Sequence, residues 1–511
     1  MPRNIESIDD DPLLDGTANF GGGLNSYTAR NQLAPTQFAI GRNTVVDRAG
    51  IIRTRRGTSA LGSLPAGAGA ALGMAYLETP AGVKKLLVCF QGTGSGTTVR
   101  TFDGTTWATI AGYTPVAGYN VEIVQGLDKL YLTDITQNMF SWDGTTWTNL
   151  GNGATDAPRA KFIVWGTNRL IAAGVPSAPD TVYFSDILDP SSTHWSAANR
   201  IRVGAGDGDP ITGLAMLSKT ILAVFKRTRI FLVDINPAVS VSTFTIDEVP
   251  TTYGCVHYRT IAKVGNDLWF LSNDGVRSLS RTLQGDDSSV SAPISLPIKN
   301  LTALIPDTFP ELTSATYFQG RYLLAHWANF PAPDGSGDGY YTLSYNVELQ
   351  QWEGRWDGLL TVLMAQTRFA GTLRLIFAAA TGTLTYFRHE NGAPETAADY
   401  QDDAYAPATE IPTRIGTRAH NHGANFNGKR GFVTELEFDE CTAPSAAVKL
   451  ALDYAAPTTL ATVTPNGRVP LTLLHQSPFR EAAVEVESTS GKLALRSVSI
   501  ASFAQTMPAG Q

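Results

Sequence analysis

With 511 residues, 43% of them hydrophobic and only 17% charged, the chain has the length for two or three domains and enough apolar content to exclude wholesale disorder. A net charge of −7, from 39 basic and 46 acidic side chains, excludes a protein that clings to nucleic acid, because such binding rests on phosphate neutralisation. The 48 glycines and 28 prolines favour short strands joined by turns over long, charge-laced helices.

The first sixteen residues, "MPRNIESIDDDPLLDG", are acidic and lack an apolar stretch, so no secretion signal is expected. Residues 1–65 read as an extended, Gly/Asn-rich arm and a first strand, an arm that a neighbouring molecule could order. "RTRRGT" at 53–58 places three arginines near its end. They read as a solvated or interfacial strand in preference to a phosphate site.

From about residue 66 to 395 the pattern repeats. "KKLLVCF", "TTVRTF" and "TTWATI" are strand candidates, with "FDGTTW" joining the last two; "YNVEIVQ", "KLYLTDI", "NMFSW" and "TTWTNL" follow, again around Asp-Gly-Thr-Thr-Trp. Asp-Gly between strands predicts a two-residue hairpin with positive φ at both positions. Phe102/Trp107 and Trp142/Trp147 are then expected to pack across and between units. Four strands in about forty residues is the signature of a β-propeller blade. Further units run through 161–195, 211–235, 259–280 (with an Asp-Gly turn at Asp274-Gly275), 313–356 and 361–387. The count predicts an all-β chain with about seven four-stranded blades, one of them open to closure by a terminal strand. Within it, "LPIKNLTALIPD" predicts one helix with Ile298, Leu301, Leu304 and Ile305 on a single face. Residues 396–414 read as a linker or crossing strand. Residues 415–511 alternate with period two and predict a small antiparallel β-sandwich-like domain. No apolar run approaches the ~20 residues of a membrane span.

Candidate chemistry is sparse. "QGTGSGTTV" lacks the Lys-Ser/Thr of a P-loop and precedes a strand, so it reads as a hairpin loop. Asp207/Asp209 in "GAGDGDP" and Asp334/Asp338 in "PDGSGDG" are the best calcium candidates. They offer too few oxygens, without a following bidentate Glu, and read as tight turns. His420 and His422 would share one side of a strand, but no third ligand is apparent. Cys89, Cys255 and Cys441 are too widely spaced for a metal knuckle or a disulfide framework and read as small buried residues in a reducing compartment. No catalytic, cofactor-binding or metal-binding residue is predicted, and no cofactor. A sialidase-type Asp box puts Gly two and Trp five positions after Asp. Here Gly104 and Trp107 fall one and four after Asp103, so the motif reads as a plain hairpin. Kelch Gly-Gly doublets and strand-ending WD signatures do not recur.

Several phrases together carry a family likeness. "NFGGGLN", "RTRRGT", "NRLIAAGVPSAPDTVYFSDILDPSSTHW", "GDGDPITGL" with "LAVFKRTRIFLV", and "YGCVHYRTIAKVGNDLWFLSNDGVRSL" resemble the β-propeller nozzle (tail tubular) proteins of short-tailed double-stranded DNA bacteriophages. The resemblance spans roughly residues 18–360 and has no catalytic signature. It implies a structural virion protein, not an enzyme, assembled in the host cytoplasm into a ring, commonly a homohexamer. Such a ring would extend the DNA ejection channel below the portal and adaptor and contact tail fibre, needle or plug proteins. Double-stranded DNA would transit without specific binding, as an acidic wall favours. The alternative expectation is a carbohydrate-binding or glycan-cleaving receptor-recognition propeller, since nine tryptophans and 17 tyrosines could stack on sugars and carboxylates could be assembled from distant blades.

Overall fold

The computed structural model describes residues 13–63, 67–92, 96–284, 292–306, 312–328, 339–369, 371–388, 395–403, 408–421, 429–453, 455–473 and 479–504. Nearly all regular structure in it is antiparallel sheet. Blade 1 is built from Ala68–Glu78, Lys84–Gly92, Thr97–Phe102 and Trp107–Ile110, and blade 2 from Glu122–Gly126, Lys129–Thr133, Phe140–Trp142 and Trp147–Asn149. Blade 3 holds Phe162–Gly166, Arg169–Val175, Ala178–Phe184 and Arg200–Arg202; blade 4 holds Ile211–Met216, Ile221–Lys226, Ile230–Asp234 and Thr245–Val249. Blade 5 has three strands among the described residues, Ala262–Val264, Asp267–Ser272 and Gly275–Ser278. Blade 6 is Ser314–Phe318, Arg321–Ala328, Gly339–Asn346 and Gln351–Trp356. Blade 7 takes Thr361–Phe369, Thr372–Ala379 and Leu384–Phe387 from its own stretch of chain.

The chain is therefore a seven-bladed β-propeller. Its central strands are apolar on both faces because each is sandwiched between two neighbouring sheets. Leu87 and Cys89 of blade 1 pack with Leu130, Leu132 and Trp142 of blade 2, while Leu86, Val88 and Phe90 of the same strand face Ile376 and Ala378 of blade 7. Blades 4 and 5 meet at Phe225 and Phe270, whose ring centroids lie 5.0 Å apart. Burial on two faces converts alternation into short continuous apolar runs such as "LLVCF".

The Asp-Gly turns differ from the expected two-residue hairpin. Phe102 pairs directly with Trp107 and Trp142 with Trp147, so four residues form each loop. Only the glycine takes positive φ, 105° at Gly104 and 98° at Gly144. The aspartate closes the loop with its side chain: Asp103 Oδ1 accepts from the backbone N–H groups of Thr105 and Thr106, both at 2.8 Å. Asp143 Oδ1 repeats this with Thr145 and Thr146 at 2.9 and 2.7 Å. These bonds, Thr106 first and then Thr105, hold the Asp103 carboxyl well below the usual range. At Asp274-Gly275 the turn is again different, since Ser272 pairs with Gly275 and the tight turn is Asn273–Asp274. The aromatics flanking the twin loops pack as expected, with Phe102 and Trp107 centroids 5.0 Å apart and Trp142 and Trp147 5.8 Å apart.

The N-terminal segment departs most from expectation. Residues 13–60 do not await a neighbouring molecule; they supply strands to three sheets of their own chain. Leu13–Thr17 pairs with Ala494–Ala504. Gln37–Arg42 lies between blade 6 and Thr413–Thr417. The hairpin Thr44–Val46/Ile52–Thr54 joins Ala494–Leu495 through Ile52 and Arg53. Thr58–Ala60 pairs antiparallel with Leu384–Phe387 and becomes the fourth strand of blade 7, so the chain's beginning closes the ring. Gly23 shows why "NFGGGLN" is glycine-rich: its φ is 75°, and a Cβ there would lie 2.6 Å from Cβ of Gln351 in blade 6.

The C-terminal strands form two layers. Lys429–Phe438, Arg468–Leu473 and Ala494–Ala504 make one; Thr413–Thr417, Ala482–Ser488, Ala446–Leu452 and Thr458–Val463 make the other. Leu436, Val498 and Ile500 from the first layer share a core with Val448, Val484 and Val486 from the second. Through Gln37–Arg42 the second layer continues into blade 6 as one ten-stranded sheet. The same core also takes in Trp269, Tyr322, Tyr345 and Trp352 of blades 5 and 6. Between residues 396 and 414, Gln401–Asp402 crosses beside blade 7, with Asp402 paired to Thr58. The expected helix is present but short. A 3-10 turn Leu296–Ile298 runs into Lys299–Thr302, with Ile298, Leu301 and Ile305 buried against blade 5. Leu279–Gln284 is an additional helix that period-two reading did not anticipate.

The loop geometry predicts the outcome of two Gly→Ala changes. At Gly144 an alanine would hold positive φ and place its Cβ 2.8 Å from Val83 Cγ1, costing about 2 kcal/mol. At Gly96 a Cβ meets nothing within 4 Å and φ lies outside the left-handed range. Urea denaturation should show a lowered midpoint for Gly144→Ala and an unchanged one for Gly96→Ala.

Candidate functional site

The first strands of blades, or the segments leading into them, converge on a central cavity of about 260 Å³. Its wall takes Met74 from blade 1, Ile123 from blade 2, Ile163 from blade 3, Leu214 from blade 4, Ala315 from blade 6 and Met364 from blade 7. Blade 5 contributes a plug. The 3-10 turn Tyr258–Thr260 sends Arg259 across the hub, where its guanidinium donates to Glu122 Oε1 at 2.8 Å and to the carbonyls of Leu72 and Val121 at 2.7 and 3.2 Å. The Arg259 side chain is only 6% exposed. Tyr258 stacks edge-on against Phe162 with centroids 5.0 Å apart, and its hydroxyl accepts from Asn120 Nδ2 at 3.2 Å. Glu122 is the one carboxylate among the described residues lining this cavity, and it is occupied by a cation. A pair of acids facing each other across a bound sugar, as glycoside cleavage needs, is not assembled there.

The calcium candidates resolve differently. Asp207 is held by the buried ammonium of Lys226, whose Nζ lies 2.8 and 2.6 Å from the two carboxylate oxygens. A cation already fills the position that calcium would take. Asp209 accepts from the backbone N–H groups of Arg227 and Thr228 at 3.2 and 3.0 Å, tying "GAGDGDP" to the hairpin of blade 4. Asp334 and Asp338 lie outside the described residues. Among the described residues no group of three or more His, Cys, Asp or Glu side chains is placed to hold a metal.

His420 is buried beside Asp15, with Nδ1 3.6 Å from Oδ1, and Arg418 pairs with the same carboxylate. Burial lowers the His420 pKa, against the pull of Asp15. The cluster pins the N-terminal strand to the C-terminal layer; His422 lies outside the described residues. Cys89, Cys255 and Cys441 are free thiols, and burial pushes Cys255 up to about 12, far from a reactive thiolate. All nine tryptophans are buried or half-buried. No helix among the described residues is long and apolar enough to cross a membrane.

The three arginines of "RTRRGT" divide their work. Arg55, 1% exposed, donates from Nε to Asn43 Oδ1 at 3.0 Å, from its terminal nitrogens to the carbonyls of Arg56 and Asp357 at 3.0 and 2.6 Å, and to both oxygens of Asp402. Arg56 pairs with Glu395 at 3.0 Å. Burial works against the charge of Glu395, but Lys492, the Tyr400 hydroxyl and Arg56 together bring its pKa down to about 2. Arg53 makes no ion pair among the described residues and faces a second, larger cavity between blades 6 and 7. Sequence reading did not single out Arg259, Glu122, Asp402 or Glu395. Each acts with a partner far away in the chain, 137 positions away for Glu122 and Arg259, and no local pattern marks such a pair.

No protein-family model matches the chain, and no curated protein matches it. Among solved structures it is similar to BamB from Moraxella catarrhalis at 13% identity and a TM-score of 0.37, over 69% of this chain and 92% of that one. A chain of the mitotic checkpoint complex matches at 12% identity and a TM-score of 0.38, over 65% and 96%. An exo-β-1,3-galactanase from Phanerochaete chrysosporium matches at 9% identity and a TM-score of 0.24, over 90% and 99%. At these scores the likenesses carry no weight, and the propeller assignment rests on the seven radial sheets.

Replacing Arg259 should expose the role of the hub pair. Arg259→Met strands Glu122 and two carbonyls, and should lower unfolding free energy by about 3 kcal/mol in urea titrations. Adding Glu122→Gln should recover part of that loss, because removing both charges is milder than leaving one.

Proposed function

We propose that this chain is a structural building block of the tail of a short-tailed double-stranded DNA bacteriophage, a nozzle (tail tubular) component. In this reading copies assemble into a closed ring, commonly of six, between the portal and adaptor on one side and the fibres, needle or plug on the other. The channel of that ring carries DNA during ejection, and assembly takes place in the host cytoplasm. The observation that carries the reading is mechanical. A ten-stranded sheet runs from blade 6 through Gln37–Arg42 into the second C-terminal layer, with one apolar core behind it, so propeller and C-terminal body are joined by a shared sheet and a shared core. The family-like phrases fall within this framework: "NFGGGLN" lies against blade 6, "RTRRGT" ends in the strand that closes blade 7, and "GDGDP" braces blade 4.

Charge supports the same role. Duplex DNA carries one negative charge per about 1.7 Å of axis, and a net charge of −7 per chain makes a ring that repels DNA and lets it slide. The glycan reading gains no support from the hub, where Glu122 is tied to Arg259, or from the tryptophans, none of which is exposed.

Electron microscopy of the purified chain, with mass spectrometry of virions from the phage that encodes it, tests this function. Closed rings and stoichiometric presence in the tail are expected. A protein that stays monomeric and is missing from virions would overturn it.

A further inference from the structure

The larger cavity, about 480 Å³, falls within the size range of small-molecule pockets. It lies where blades 6 and 7 meet the N-terminal hairpin and the segment after blade 7. Its floor is apolar and rigid. Trp356 is 2% exposed and donates its indole N–H to Thr44 O at 2.8 Å; it packs edge-on against Phe387 with centroids 6.1 Å apart, beside Phe318 and Leu323. At the mouth stands Leu373, 38% exposed, a large apolar side chain left in water.

The walls are cationic. Five guanidiniums line the cavity, those of Arg53, Arg55, Arg56, Arg321 and Arg388, against one carboxylate, Glu395. Three of the arginines are neutralised from behind: Arg55 by Asp402, Arg321 by Glu353 at 2.8 Å and Arg388 by Asp403 at 2.5 Å. Glu395 itself is shared by Arg56 and Lys492 at 3.0 and 2.9 Å. Arg53 is half-buried in its strand, between Val45 and Ala494, and is the lining arginine without a carboxylate of its own among the described residues. A guanidinium held partly out of water with no anion is an unfilled demand.

We propose that this cavity is a binding site for a small organic anion, whose acidic head is held by Arg53 and whose apolar, ring-sized body lies on Trp356, Phe387 and Leu373. The planar fork of Arg53 suits a carboxylate, phosphate or sulfonate head, and the aromatic floor suits a flat body. Neither part alone satisfies the pocket. The claim concerns a single chain in solution, so it stands or falls separately from ring assembly.

The probe is anilinonaphthalene sulfonate, which carries both features and brightens in apolar surroundings. One saturable site per chain is expected, displaced by phenyl phosphate and far less by inorganic phosphate. Arg53→Ala should weaken binding about tenfold, the worth of one charge-assisted hydrogen bond, with an unchanged melting temperature. Leu373→Ala, at an exposed position that folding does not depend on, should weaken it without abolishing the preference for an anionic head. Equal binding to Arg53→Ala and the parent chain would overturn the proposal. So would displacement by inorganic phosphate as effective as by phenyl phosphate, which would mark an adventitious ion only, or the absence of any saturable site.

Discussion

A ring of radial sheets has one seam, where the last blade meets the first, and everything else in this structure depends on how that seam is held. Here the join is made within blade 7, where Thr58–Ala60 pairs with Leu384–Phe387. Backbone bonds over three residues would be a weak latch alone. Arg55 reinforces it, since its guanidinium reaches Asp402 on the strand beside Thr58 and the carbonyl of Asp357 after blade 6. Removing water from this pair is costly, and the geometry offsets that cost by engaging every donor of the guanidinium.

The same N-terminal segment also binds the propeller to the second β body, so closure and attachment are one event. Glu353 shows the economy of the arrangement. It is fully buried in blade 6, yet it accepts from Arg321 at 2.8 Å, Ser344 and Asn346 at 3.0 Å, and the backbone N–H of Val46 at 3.2 Å. The last of these bonds fixes the N-terminal hairpin to the blade. Across the hub Arg259 does similar work, linking the approach to blade 5 with blades 1 and 2. The buried charges of Arg55, Glu353 and Arg259 connect separate elements of the fold, which is how such pairs contribute to a single arrangement rather than to raw stability.

The propeller was legible in the sequence because its signals are local. Asp-Gly-Thr-Thr-Trp written twice, and four short apolar runs per unit, both lie within one blade. The turn chemistry was only half legible: Asp-Gly pointed to a two-residue hairpin, while the Thr-Thr that follows is what allows the aspartate to close a four-residue loop. The N-terminal strands were not legible. Thr44–Val46, Ile52–Thr54 and Thr58–Ala60 are three residues each, too short to show a period, and two of the three find partners more than three hundred residues further along the chain. The arginine run was visible as a motif, but its three different fates follow from Asp402, Glu395 and an open cavity, none of which is encoded nearby.

Hydrogen exchange of the intact chain, read by mass spectrometry, tests most directly whether the seam governs the whole. Amides of 58–60, 384–387 and the 494–504 strand are expected to exchange slowly and together with those of the blade cores, as one cooperative unit. Rapid, independent exchange at 58–60, with the blades still protected, would show instead that the ring holds without its N-terminal strand and that the seam does not govern it.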